Sequence, residues 1–168
     1  MENNTVTGWA CDQSLEVLTL GLDGEIFAVG AEMVREILDV VPITEVPNAR
    51  PFVNGLINVR GKVVPLIDLR VRFGMPRPPL TIDTRIIVLE VKLDGDTTIV
   101  GALADKVYEV TEIPAAALLD TPPIGMRWRS DFIRGVGKRA EDFIIILDID
   151  HIIASDERIT KKESELCA

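Results

Sequence analysis

The chain has 168 residues, 47% hydrophobic and 27% charged, and its 18 basic against 27 acidic side chains leave a formal net charge of -9. A nucleic-acid binder needs a concentrated basic face to displace counterions from phosphates, and this balance disfavours both that role and a standing contact with anionic lipid. No apolar run approaches the length of about 18 residues that marks a membrane-spanning helix, and no basic-then-apolar leader opens the chain, so it is expected to be intracellular and not inserted in a membrane.

Ile (19) and Val (18) outnumber Leu (16), which favours sheet because branched side chains pack well on a pleated surface. Residues 1–14 show no sustained period and are expected to form a flexible arm. From Glu16 the apolar residues Leu18, Leu20 and Leu22 recur at period two, Asp23-Gly24 supplies a turn, and Ile26, Phe27 and Val29 follow, predicting an opening hairpin. "GAEMVREILDV" is predicted as a turn followed by a strand from Arg35, because Val40, Val41 and Pro42 continue a helix poorly.

A second hairpin is predicted over "FVNGLINVRGKVVPLID", turning near Gly61. Pro65 cannot donate to a ladder, so it is assigned to an edge strand or a bulge. "DLRVRFG" predicts one or two helical turns, with Asp68 accepting from early backbone N-H groups and Gly74 closing. "MPRPPLT", Met75 to Thr81, is the clearest linker. Beyond it, a long strand, a turn at Asp94-Gly95 and another strand to about Ile113 are expected. "PAAALLD" is a short helix candidate, "TPPIGMRWR" a loop, "DFIRGVGKRAEDFIIILDI" a last hairpin, and residues 155–168 a flexible tail.

The chain repeats itself. Phe52, Gly55 and Asp68 recur as Phe132, Gly135 and Asp148 at an offset of 80, and Ile26, Val34, Glu36 and Ile37 recur as Ile99, Val107, Glu109 and Val110 at an offset of 73. Units of 60 to 70 residues are too small for a deep core, so two small closed sheets packed together are expected. Asp68 and Asp148 occur in both copies and are assigned to caps or turns. Arg60 has no duplicate, Ala140 standing opposite it, and a turn can present its guanidinium in a fixed direction to a carboxylate.

Reactive clusters are missing from the sequence. A metal site needs converging ligands, and the chain offers one histidine, His151, with Cys11 and Cys167 at opposite ends. The cysteines are taken as free thiols and His151 as an end-of-strand residue. The glycines of "GLINVRGK" lack the Gly-Lys-Ser/Thr ending of a phosphate-binding loop. A binding module without metal, cofactor or catalytic residue is the expectation.

The series "VREI" (Val34–Ile37), "FVNGLINVRGKVVPLIDL" (Phe52–Leu69), "TRIIV" (Thr84–Val88), "GALADKVYEV" (Gly101–Val110) and "FIRGV" through "IIILDI" resembles the chemotaxis coupling proteins of the CheW family, over residues 15–153. That resemblance implies an all-β fold of two five-stranded SH3-like barrels around a shared hydrophobic core, with short helices, the barrels spanning about 30–80 and 81–145 and the terminal segments completing them. It implies a non-enzymatic adaptor that couples methyl-accepting chemoreceptors to the regulatory domain of the histidine kinase CheA, beside other copies of the adaptor in array rings. By the same resemblance Val34, Glu36, Asn58 and Arg60 would meet the hairpin tip of the receptor in a groove between the barrels. Gly61, Lys62, Asp105, Lys106 and Val107 would lie toward the kinase. The protein would be cytoplasmic and recruited peripherally to receptor arrays; an adaptor of a non-flagellar pathway is the alternative, and an enzyme of unknown class a remote one.

Overall fold

The structure is a computed structural model that describes residues 14–49, 52–76, 79–119, 132–139 and 142–154. The expected arm, the loop 121–129, the tail, both cysteines and Ala140 lie outside the described residues. Strands β1 (Ser14–Leu22) and β2 (Glu25–Gly30) form the opening hairpin, and a 3-10 turn over Ala31–Met33 leads into β3 (Val34–Asp39). Then come β4 (Val53–Val59), β5 (Lys62–Asp68) and the single helical turn α1 (Leu69–Arg72). The second half supplies β6 (Arg85–Leu93), β7 (Asp96–Ala104), β8 (Lys106–Pro114), the short β9 (Leu118–Leu119), β10 (Ile133–Arg139) and β11 (Asp142–Leu147), after which residues 149–154 are helical.

Local chemistry explains the hairpins. At Asp23-Gly24, Arg60-Gly61 and Asp94-Gly95 both central residues have positive φ, the type I′ arrangement whose twist matches that of the flanking strands. Asp68 caps α1 as expected, its Oδ1 accepting from Arg70 N at 3.1 Å, and Gly74 follows the helix at φ 71°. The expected helix at "PAAALLD" is instead a 3-10 turn over Ala115–Ala117. Leu118 then turns inward as a buried strand residue opposite Gly137.

The strands form two sheets, one in the order β8-β1-β2-β11-β10-β9 and one in the order β3-β6-β7-β5-β4. Neither is the SH3-like barrel expected from the sequence. Among the described residues the edge strands β8 and β9, or β3 and β4, share no ladder, so both sheets are open. The β4 edge shows one reason. Leu56 N donates to Thr44 O at 2.8 Å and Leu56 O accepts from Thr44 N at 2.9 Å, so this edge is capped by the preceding segment and not by β3. The five-stranded sheet nevertheless curls, because Leu38 of one edge strand and Ile57 of the other pack in one apolar cluster with Leu66, Ile86 and Leu103.

Pro65 departs from expectation as well. Its strand is interior, between β7 and β4, and the bulge of this hairpin lies at Val53–Gly55. The Leu56–Pro65 pair is a non-hydrogen-bonded one, since both polar groups of Leu56 face Thr44, so the proline nitrogen points away from β4. The parallel ladder to β7 begins one residue later, at Leu66. The missing donor therefore costs no ladder bond.

The repeat governs the topology. The bulge at Val53–Gly55 recurs at Ile133–Gly135, and the bond from Asp68 N to Phe52 O (2.7 Å) recurs from Asp148 N to Phe132 O (2.9 Å). Leu66 pairs in parallel with Gly101, and its counterpart Ile146 pairs in parallel with Ala28. Each sheet draws strands from both halves of the chain, so the sheets are interleaved rather than sequential. Between them lies the main core, with Leu20 and Phe27 from one sheet and Ile87 and Leu89 from the other, each at most 1% exposed. Phe73 stacks on Phe27 at 5.6 Å and meets Phe132 edge-on at 5.9 Å. Burying a side chain of this size stabilises the fold by about 1.5–3 kcal/mol.

Candidate functional site

The unduplicated Arg60 sits at the first central position of the β4–β5 turn at φ 53°, a conformation a side-chain-bearing residue rarely adopts. Gly61 follows at φ 84°, and Asn58 Oδ1 accepts from Gly61 N at 2.8 Å, which braces the tip. Across the mouth of the curled sheet, Arg60 Nη2 lies 3.0 Å from Glu36 Oε1. The arginine side chain is 80% exposed and the glutamate 23%, so one partner is anchored and the other is presented. Lys62 and Gly61 are exposed beside it.

The structure brings Glu36, Asn58, Arg60, Gly61 and Lys62 into one locality, and it separates Val34 from them. A bulge between Val34 and Glu36 interrupts β3. Val34 pairs with Leu89 and packs against the core between the sheets, whereas Glu36 pairs with Val88, which belongs to the cluster on the opposite face. Val107, the repeat counterpart of Val34, packs against the same central core. Lys106 is exposed, its Nζ 5.5 Å from the Tyr108 ring.

Asp105 is committed within the molecule. Its Oδ1 accepts from Arg70 Nη1 at 2.8 Å, its Oδ2 accepts from Asp23 N at 2.8 Å, and its own N-H donates to Gly21 O at 3.0 Å. Arg70 also grips Asp68 with two bonds, Nε to Oδ1 and Nη2 to Oδ2, each 2.9 Å. Its hydrogen bond to Asp68 raises the Arg70 pKa further above its ordinary range, against the opposing effect of burial. Asp68 and Arg70 are nearly solvent-free, which makes this a buried tie between α1, the β7–β8 corner and the β1–β2 turn. Sequence reasoning assigned no role to Arg70 or Arg72. Arg72 in fact lies over Phe52 at 5.3 Å and over Phe132 at 4.7 Å, and its Nη2 donates to Ile152 O at 3.2 Å. The duplicated phenylalanines were the available signal, because a cation between them joins the two copies.

Two clefts flank these features. One of about 720 Å³ opens between the sheets beside Glu32, Met33, Glu90, Arg134 and Asp148, and none of the expected interface residues lines it. The other, about 340 Å³, lies on the β4 edge among Val41, Pro42, Leu56, Ile57, Asn58 and Val63, next to the Arg60 turn. Its walls are mostly apolar, and Val63 is 71% exposed. Among the described residues no group of three or more His, Cys, Asp or Glu side chains is placed to hold a metal ion, and no helix is long and apolar enough to cross a membrane. His151, expected at a strand end, lies instead in the helical segment 149–154, where its backbone N-H donates to Asp148 Oδ1 at 3.1 Å.

Residues 16–157 match the family model for the CheW-like domain. "Chemotaxis protein CheW" of Rhizobium meliloti (strain 1021) is 32% identical over 143 residues, covering 85% of this chain and 90% of that relative. "Protein PilI" of Pseudomonas aeruginosa is 27% identical over 133 residues, 79% of this chain and 72% of that relative. The crystal structure of scaffolding protein TtCheW from Thermoanaerobacter tengcongensis superposes with a TM-score of 0.74 at 30% identity, covering 83% of this chain and 88% of that one. Because the fold, the Arg60 turn and these matches all fall on the same stretch, the chain belongs to the CheW family, non-enzymatic adaptors of chemotaxis signalling.

Proposed function

We propose that the protein couples methyl-accepting chemoreceptors to the regulatory domain of the histidine kinase CheA, as a cytoplasmic protein recruited to receptor arrays. The observation that carries this reading is the Arg60 guanidinium, held in direction by Glu36 and by a type I′ turn, yet four-fifths exposed. A receptor helix offers an apolar face with a polar border. The β4-edge cleft suits the first and the Arg60–Glu36 pair the second. Glu36, Asn58 and Arg60 contact the receptor tip in this reading, and Val34 supports them through β3. The kinase contact falls on Gly61 and Lys62 and on the β7–β8 corner, where Lys106 is exposed, Val107 is half-buried and Asp105 holds the backbone in place.

The test is a pull-down with a CheA regulatory domain and a receptor cytoplasmic fragment, wild type beside Arg60→Ala. Binding of both by the wild type, with the receptor arm selectively weakened in the variant, is the expected result. Truncation of an arginine desolvated in the complex costs about 2–5 kcal/mol, and one left at the rim costs much less. Failure of the wild type to bind either fragment would sink the reading. A second reading, an adaptor in a pathway with a non-flagellar output, is favoured by the match to Protein PilI, and it predicts the same architecture with different partners.

A further inference from the structure

The interleaving of the sheets says something about the two halves of the chain. Within the first half, β1–β2 and β4–β5 are the hairpins, and within the second half β6–β7 and β10–β11. Apart from the two-residue ladder of β9 with β10, which only extends one hairpin of the second half, every ladder that assembles these hairpins into sheets crosses between halves: β1 with β8, β3 with β6, β5 with β7, and β2 with β11. An isolated two-stranded hairpin is marginal in water, so neither half contains a sheet that stands alone. The side chains agree. Arg70 of the first half is held by Asp105 of the second, and Arg72 lies against Phe132 and Ile152 of the second. One covalent connection, from α1 to β6, makes this association intramolecular, and no ladder requires both halves to come from the same chain.

We propose that two copies of the protein can exchange halves, the first half of each chain completing its sheets with the second half of the other. The occupant of each half's unpaired strand edges is then a second copy, recognised by the ladders and charge ties already described, and the exchange needs no new contact. Glu36 and Arg60 both belong to the first half, so each exchanged dimer keeps two intact turns of this kind.

The experiment uses full-length chains in which Cys11 and Cys167 are replaced by Ser. Asp39 of β3 and Arg85 of β6 face each other across an inter-half ladder, with Asp39 well exposed. Chains carrying Asp39→Cys are mixed with chains carrying Arg85→Cys, unfolded and reduced, refolded together over a range of concentrations, then oxidised. A single chain carrying both substitutions is the control for whether the pair can close a disulfide. The expected result is a dimer linked between positions 39 and 85 of different chains, identified by peptide mapping. While dimer is the minor species, a tenfold rise in concentration raises its fraction about tenfold. The unmodified chain, sized by light scattering after the same refolding, should show the same concentration dependence. A control that closes its disulfide, together with refolded mixtures that stay monomeric and carry no link between 39 and 85, overturns the proposal. Cross-links only between identical positions overturn it too, since they report surface collision and not exchange.

Discussion

Glu36 and Arg60 meet 3.0 Å apart although β3 and β4 stand at opposite edges of the five-stranded sheet. Side chains thus bridge a gap that no backbone ladder closes. Because the arginine is largely exposed, water screens the pair, and its worth to folding is about 0.2–1 kcal/mol. A double-mutant cycle with Arg60→Ala and Glu36→Ala, followed by urea unfolding, should return a coupling energy within that range and leave unfolding cooperative. A coupling several times larger would make the pair a structural clamp.

Arg70 should behave in the opposite way. Arg70→Ala leaves the Asp68 carboxylate buried without its two bonds, a change that costs about 3–5 kcal/mol. Asp105→Asn should cost less, because that side chain keeps an acceptor and partial access to water. The midpoint of denaturant unfolding separates the two. The folded protein holds the Arg70 proton more tightly than the unfolded chain does. Its contribution is therefore complete below the arginine's ordinary range and fades only as pH rises beyond it. The stability difference between wild type and Arg70→Met should stay level from about pH 7 to 9.

Two glycines offer a matched pair of tests. A Cβ on Gly55 would stand 2.4 Å from the Thr44 carbonyl oxygen, backbone that is itself fixed in the bridge to Leu56. A Cβ on Gly137 would stand 2.7 Å from Ile113 Cδ1, the end of a side chain that can rotate. Gly55→Ala should destabilise by at least the 1–3 kcal/mol usual for overpacking, and Gly137→Ala by less. Equal shifts in thermal midpoint would mean that Ile113 has no room to move.

Arg72→Lys tests the tie between the copies. A lysine keeps the charge, but it lacks the planar group that lies over Phe52 and Phe132 while donating to Ile152 O. A loss of about 0.5–2 kcal/mol in urea unfolding is expected, most of the effect of Arg72→Ala. Full rescue by lysine would reduce the interaction to simple charge.

Much of this was legible in the amino-acid order because it is local. Asp-Gly pairs with flanking alternation located two of the I′ hairpins, Gly61 marked the third, and Asp68 announced its cap. The offsets of 80 and 73 anticipated two similar units, but not their duplicated bulges or which strands pair with which. Strand partnership is long-range: nothing near Phe27 in the chain says that Ile145 will lie beside it. For the same reason the copies looked like two closed units when the strands are in fact shared between two open sheets. In the candidate site, the bulge in β3 was invisible to a period-two reading, and it is what turns Val34 away from Glu36. The burial of Arg70 depends on a carboxylate that arrives from β7–β8, far along the chain.

The pairing of β2 with β11 also bears on synthesis. The first hairpin leaves the ribosome with Leu18, Leu20 and Phe27 facing no finished core, and its two sheet neighbours, β8 and β11, are made only in the second half of translation. That sheet cannot grow behind the advancing chain. The five-stranded sheet is complete once β7 has emerged, but the six-stranded sheet must wait for β11, the last strand, and until then the nascent chain carries unpaired strand edges of the kind that favour aggregation.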